Sequence, residues 1–232
     1  MPEPRKASSN ATTSRTAKQR AQYQRPTTSV KTDHSGKGAI NAGLTAAQHK
    51  AVTAWENRNR NYKTEHTVLI DENGTVNPRG PIQLGSGTSK KARVNPYALV
   101  PNGVLTHNHP SNNVGIAGRV GVPLSGADIK LAAKYNLSEV RAVTPNYTFS
   151  IRRPAGGWKV NPDVLNAEFN SIANREARGM AGTTTQLLQR SGGITRLDAD
   201  IYNNRVNTLA SHRAIQELAR KYGFTYTRRR TS

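Results

Sequence analysis

Apolar residues concentrate in the middle of the chain, and their spacing changes along it. Ala47–Asn59 follows Thr45, a good helix N-cap, and sets Ala51, Val52 and Trp55 on one face, which predicts an amphipathic helix. Glu65–Ile70 ends in the run Val68-Leu69-Ile70 and predicts a strand, turned through Asp71-Glu72-Asn73-Gly74 onto Thr75-Val76. Residues 78–102 are rich in Gly and Pro and read as loop, with a short helical turn over Asn95–Leu99. Gly103–Thr106 then enters the sheet. A helix over Asp128–Tyr135 is followed by strands Glu139–Val143 and Tyr147–Ile151, turned around Pro145-Asn146, and Trp158 is expected to close the domain against the sheet.

Beyond Asn161 the period becomes helical. Val164, Leu165, Phe169 and Ile172 predict one helix toward Arg178, interrupted by Gly179, Gly182 and Ser191-Gly192-Gly193. A last helix carries Ile215, Leu218, Ala219 and Tyr222 and stops at Gly223 as its C-cap, leaving Arg228-Arg229-Arg230 as a basic tail. No internal repeat is visible. The pattern divides the chain into a folded domain over 44–160 and a helical extension over 161–232.

Composition extends this picture at the N-terminus. Hydrophobic residues make up 34% of the chain, low for one that is globular throughout, and residues 1–43 hold eight Lys and Arg against Glu3 and Asp33. That stretch is expected to be a disordered basic arm. With no cysteine, disulfides and thiolate metal sites are excluded. No secretory leader or membrane-length apolar run is apparent, so a cytoplasmic location, or transport inside an assembly such as a virion, is expected. The net charge of +20 makes nucleic acid a candidate partner through the basic arm and tail, although no aromatic platform accompanies the charge in the sequence.

The chemistry is concentrated in Thr106-His107-Asn108-His109-Pro110-Ser111 and Ser125-Gly126-Ala127-Asp128. Residues i and i+2 of a strand share a side, so His107 and His109 can address one ion. Asp128, in the first turn of a helix capped by Ser125, supplies a third ligand and leaves a fourth position open, as catalytic Zn²⁺ requires. Glu65 is the candidate general base upstream, and Ser125 reads either as a helix cap alone or as a cap that also reaches the site. Ser111 reads as a loop-stabilising residue. His34, His49, His66 and His212 read as surface or packing residues. Gly85-Ser86-Gly87-Thr88-Ser89-Lys90 lacks the spacing of a phosphate loop.

An upstream Glu, then His-x-His-Pro, then Ser-x-x-Asp resembles the motif of the JAMM/MPN metallopeptidase domain, closest to its RadC-like bacterial branch. The likeness spans roughly residues 45–153. It implies an α+β fold, a mixed cytidine-deaminase-like sheet flanked by helices. It also implies Zn²⁺ held by His107, His109 and Asp128, with Glu65 as base and Ser125 as oxyanion donor, in an enzyme that hydrolyses an amide bond of a protein or peptide. The stretch Ser111–Leu124 is longer than the family's usual connector and reads as an insertion beside the site. Leu124–Ile129 is also similar to segments of phage head-morphogenesis and other mobile-element proteins. This opens an alternative role as a virion or DNA-associated component, in which the metal domain processes a neighbouring protein or stabilises the fold.

Overall fold

The computed structural model describes residues 43–76, 99–110, 123–190 and 196–231, with 182–190 and 196–204 as backbone only. The arm expected over 1–43, apart from Gly43, lies outside them. So do most of the loop over 78–102 with its helical turn and the Gly85–Lys90 segment, and so does most of the Ser111–Leu124 connector. The elements run α1 (Ala46–Asn59), β1 (Thr67–Ile70), β2 (Val104–Asn108), α2 (Gly126–Lys134), β3 (Glu139–Val143), β4 (Tyr147–Arg152), α3 (Pro162–Arg190), α4 (Arg196–Tyr222) and β5 (Thr225–Arg230). The fold is α+β: five strands in the order β1-β2-β3-β4-β5 form one mixed sheet, parallel between β2 and β3 and antiparallel elsewhere.

Local signals set most element ends. Thr45 caps α1 through a full capping box with Gln48, and Ser125 caps α2 through one with Asp128. Gly223, at φ +76°, ends α4, where its N–H reaches the Ala219 carbonyl at 2.9 Å. The hairpin after β1 is shorter than its pattern suggests. Val76 makes a single bridge to Ile70, and the turn is held by Asp71 Oδ1, which accepts from the N–H groups of Asn73 and Thr75.

Opposite faces of the sheet bury different layers. On one, Val68, Ile70 and Val104 pack with Val52 of α1, and Leu44, Ala51 and Trp55 close around them. On the other, Leu69, Leu105, Val140, Ala142, Phe149 and Ile151 pack with Ile129 of α2, Leu165 and Phe169 of α3, and Ala214, Ile215 and Leu218 of α4. Trp158 closes this layer as expected, donating from Nε1 to the Leu137 carbonyl at 3.0 Å and packing on Phe224.

Three features differ from the sequence reading. Helix α3 continues through Gly179 and Gly182 to Arg190 instead of breaking. A helical glycine costs about 1 kcal/mol, which does not stop a helix whose Leu165, Phe169 and Ile172 are buried in one layer with Ala214, Ile215 and Leu218 of α4. Val164 is 43% exposed rather than part of the buried face. The expected tail is a strand: β5 pairs along the whole of β4, Tyr147 opposite Arg230 through Arg152 opposite Thr225. Tyr226 anchors it at 1% exposure, so a buried aromatic decides the element that the arginines concealed.

Candidate metal centre

His107 lies near the end of β2, and its side chain shares a sheet face with Leu105 and with Ala142 opposite it on β3. His109 follows one residue past the strand, where its N–H donates to the Val143 carbonyl at 2.8 Å. The two imidazoles meet edge to face, Nε2 to Nε2 at 2.9 Å.

Glu65 arrives from the segment before β1. Thr67 pairs with His107 in the antiparallel register, so two residues back along the chain Glu65 comes opposite His109. Asn108, the residue between the histidines, ties that segment down. Its N–H donates to the His66 carbonyl at 3.0 Å, and its Oδ1 accepts from the His66 N–H at 2.6 Å. Its Nδ2 donates to the Thr64 carbonyl at 2.9 Å and the Tyr62 carbonyl at 3.3 Å. Ligand atoms of Glu65, His107 and His109 consequently lie within 4.8 Å of one another, a group able to hold a metal ion.

Asp128 approaches from the other side, with Oδ1 3.6 Å from His107 Nε2. Its Oδ2 accepts from the Ser125 N–H at 2.6 Å and from Ser125 Oγ at 2.7 Å, so Ser125 caps α2 and fixes this carboxylate at once. The N-terminus of α2 is seated by α3. Gly126 leaves no room for a Cβ, which would come within 2.6 Å of Asn166 Oδ1 and 2.8 Å of the Phe169 ring. The helix beyond Asn161 therefore helps place a carboxylate of the site.

Ligands 2.0–2.1 Å from a tetrahedral zinc stand roughly 3.3 Å apart. The separations of 2.9 and 3.6 Å around His107 Nε2 bracket that value. Burial holds the His107 imidazole neutral by pushing its pKa down to about 4, with His109 adding to the effect. Asp128 and a hydrogen bond to the Arg141 backbone oppose it. A neutral ring anchored by a backbone acceptor is the state in which histidine ligates metals.

The structure gathers Glu65, His107 and His109 as the group whose ligand atoms lie within 4.8 Å of one another; Asp128, steadied by Ser125, stands beside it at 3.6 Å from His107 and is not part of that group. Asn108 was missed by the sequence reading, because only the pairing of the Glu65 segment with β2 gives its side-chain amide three hydrogen bonds. Ser111 lies outside the described residues, as does His34. His49 is exposed, His66 bonds Thr64 at 2.9 Å, and His212 is buried in the core, so these three stand apart from the site. Among the described residues no helix is long and apolar enough to cross a membrane. No known protein family, curated protein or solved structure matches the chain.

Proposed function

We propose that this protein is a zinc-dependent hydrolase of amide bonds, a peptidase or isopeptidase of JAMM/MPN type. The observation that carries the reading is the meeting of His107 and His109, Nε2 to Nε2 at 2.9 Å, with the carboxylates of Glu65 and Asp128 on either side. The donor set of two imidazoles and a carboxylate suits Zn²⁺ and leaves a position for water. His107, His109 and Asp128 would hold the ion, which when bound would lower the pKa of a water toward about 7 and polarise a carbonyl.

The chain's own groups account for the rest. Glu65 is held by the Asn108 lacing at the mouth of the site, where it accepts a proton from the attacking water and returns it to the leaving nitrogen. Ser125 Oγ, exposed at the start of α2, steadies Asp128 and is the hydroxyl nearest to stabilise a developing oxyanion. Glu65 and His109 are partly exposed while His107 is buried, so substrate would meet the first two.

Substituting Glu65→Gln separates the roles. Elemental analysis should find about one zinc per chain in both proteins, while amide hydrolysis of a peptide-library substrate falls by about 10²–10⁴-fold. A variant without zinc would make Glu65 a ligand in place of Asp128. Wild-type protein that binds no zinc would overturn the proposal.

A further inference from the structure

We propose that the β5 edge is a binding strip for the phosphate backbone of a nucleic acid, contacted by Arg228, Arg229 and Arg230. The strip is separate from the metal centre and does not depend on hydrolysis.

The three guanidiniums have no carboxylate partner among the described residues. Among the described residues none of them forms an ion pair or a side-chain hydrogen bond. Arg175, Arg213 and Lys221 of the helical pair each have a carboxylate. Arg228 is also ordered in advance: its guanidinium lies over the Tyr147 ring at 4.4 Å, and that ring stacks on Phe149 at 5.9 Å. Among the described residues its enclosed Nε has no acceptor, so a half-buried cation is held by an aromatic face with no carboxylate beside it. An external anion would supply the counter-charge.

Neighbours reinforce the field. Arg60 donates to the Thr144 carbonyl and Thr231 Oγ1 beside the end of β5. Its pKa is lowered by burial and further by Arg141 and Arg229, against the pull of Glu56. Arg228 and Arg230 share a face of the strand, roughly 6.8 Å apart, while Arg229 turns toward Arg60. A single extended polyanion running along the edge can therefore meet both sides of it.

The chemistry favours phosphodiester over protein. Guanidinium forks match phosphate oxygens in pairs, and the Tyr147 ring holds the Arg228 fork in place for such a contact. An added peptide strand is disfavoured, because consecutive cations on an edge strand are a way of blocking such pairing.

The test is fluorescence anisotropy of a fluorescein-labelled oligothymidylate with the full chain across a salt series. Replacing Arg228, Arg229 and Arg230 together by Gln should weaken binding at every salt and reduce the log–log salt slope by about 2, at about 0.7 per phosphate contact. Arg230→Gln alone, at an exposed position that cannot disturb the fold, should reduce it by about 0.7. Removing Lys50, Lys159 and Arg220, exposed elsewhere, should leave it unchanged. Unchanged slopes in the β5 variants would overturn the proposal. So would an equal loss in the control variant, or displacement of the oligonucleotide by an equal charge of polyglutamate.

Discussion

Thr106 and His107 are neighbours on β2, yet they belong to two polar clusters that solve burial in opposite ways. On the α1 side, Glu56 takes the Arg141 guanidinium through Nε at 2.6 Å and Nη2 at 3.0 Å, and accepts from Thr106 Oγ1 at 3.1 Å. Glu139 takes Arg141 Nη1 at 3.1 Å and the Ser150 hydroxyl. Charge is matched against charge and the cluster is sealed: Arg141 is 2% exposed and Glu139 0%. On the other side, His107 and His109 meet Nε2 to Nε2 at 2.9 Å, with Glu65 within 4.8 Å of both and Asp128 Oδ1 3.6 Å from His107. The first cluster holds its own cation between two carboxylates, with only Glu139 Oε2 left without a hydrogen bond among the described residues, while the second has the composition of a group able to hold a metal ion. Two residues in sequence separate structural chemistry from the proposed functional chemistry, because the pleat sends them to opposite faces.

The largest effect should come from breaking the sealed cluster. Arg141→Ala leaves Glu56 and Glu139 buried without their cation and should cost about 3–5 kcal/mol in urea denaturation, with loss of the fold at moderate temperature. A loss within 1 kcal/mol or so would mean that water reaches the cluster.

His212 lies between the two extremes. Its Nδ1 hydrogen-bonds the buried Tyr226 hydroxyl at 2.5 Å, while its Nε2 has no partner among the described residues. Burial, aided by Arg228, pushes its pKa down to about 4 from 6.5. The unfolded chain takes this proton first, so stability is full above pH 6.5 and declines as pH falls toward 4, with a total loss of about 3 kcal/mol. His212→Phe should flatten that part of the curve relative to wild type. An identical pH dependence in the two proteins would place the acid sensitivity elsewhere.

The smallest effect tests the open cluster. Zinc at a hundredfold excess over its dissociation constant should stabilise the wild type by about 2.7 kcal/mol, read as a rise in Tm, and His107→Ala should abolish the rise. The Arg141 cluster should be indifferent to zinc. Stabilisation that survives His107→Ala would move the metal away from β2.

The site was legible in the sequence as far as spacing could carry it. His-x-His and Ser-x-x-Asp are local patterns, and one pleat and one capping box realise them directly. The entry of Glu65 depended on a pairing that no local pattern encodes, the register of Thr67 against His107 and the four hydrogen bonds of Asn108. Arg141 is an ordinary polar residue in sequence, and its burial follows from a carboxylate in α1, far away along the chain.

By itself, then, the sequence determined the elements whose ends and faces are set within a few residues: the Thr45 and Ser125 caps, the Gly223 stop, the apolar run Val68-Leu69-Ile70 and the His107–His109 pair. Tertiary structure decided everything that depends on partners distant in the chain. It carried α3 through its glycines because α4 clamps it, and it turned an arginine-rich tail into β5 because Tyr226 finds a buried place beside Ile151. It also set Arg228 over Tyr147. Caps, turns and periodicity act through hydrogen bonds and sterics a few residues long, whereas burial is a property of the whole packed layer, and only the fold assigns it.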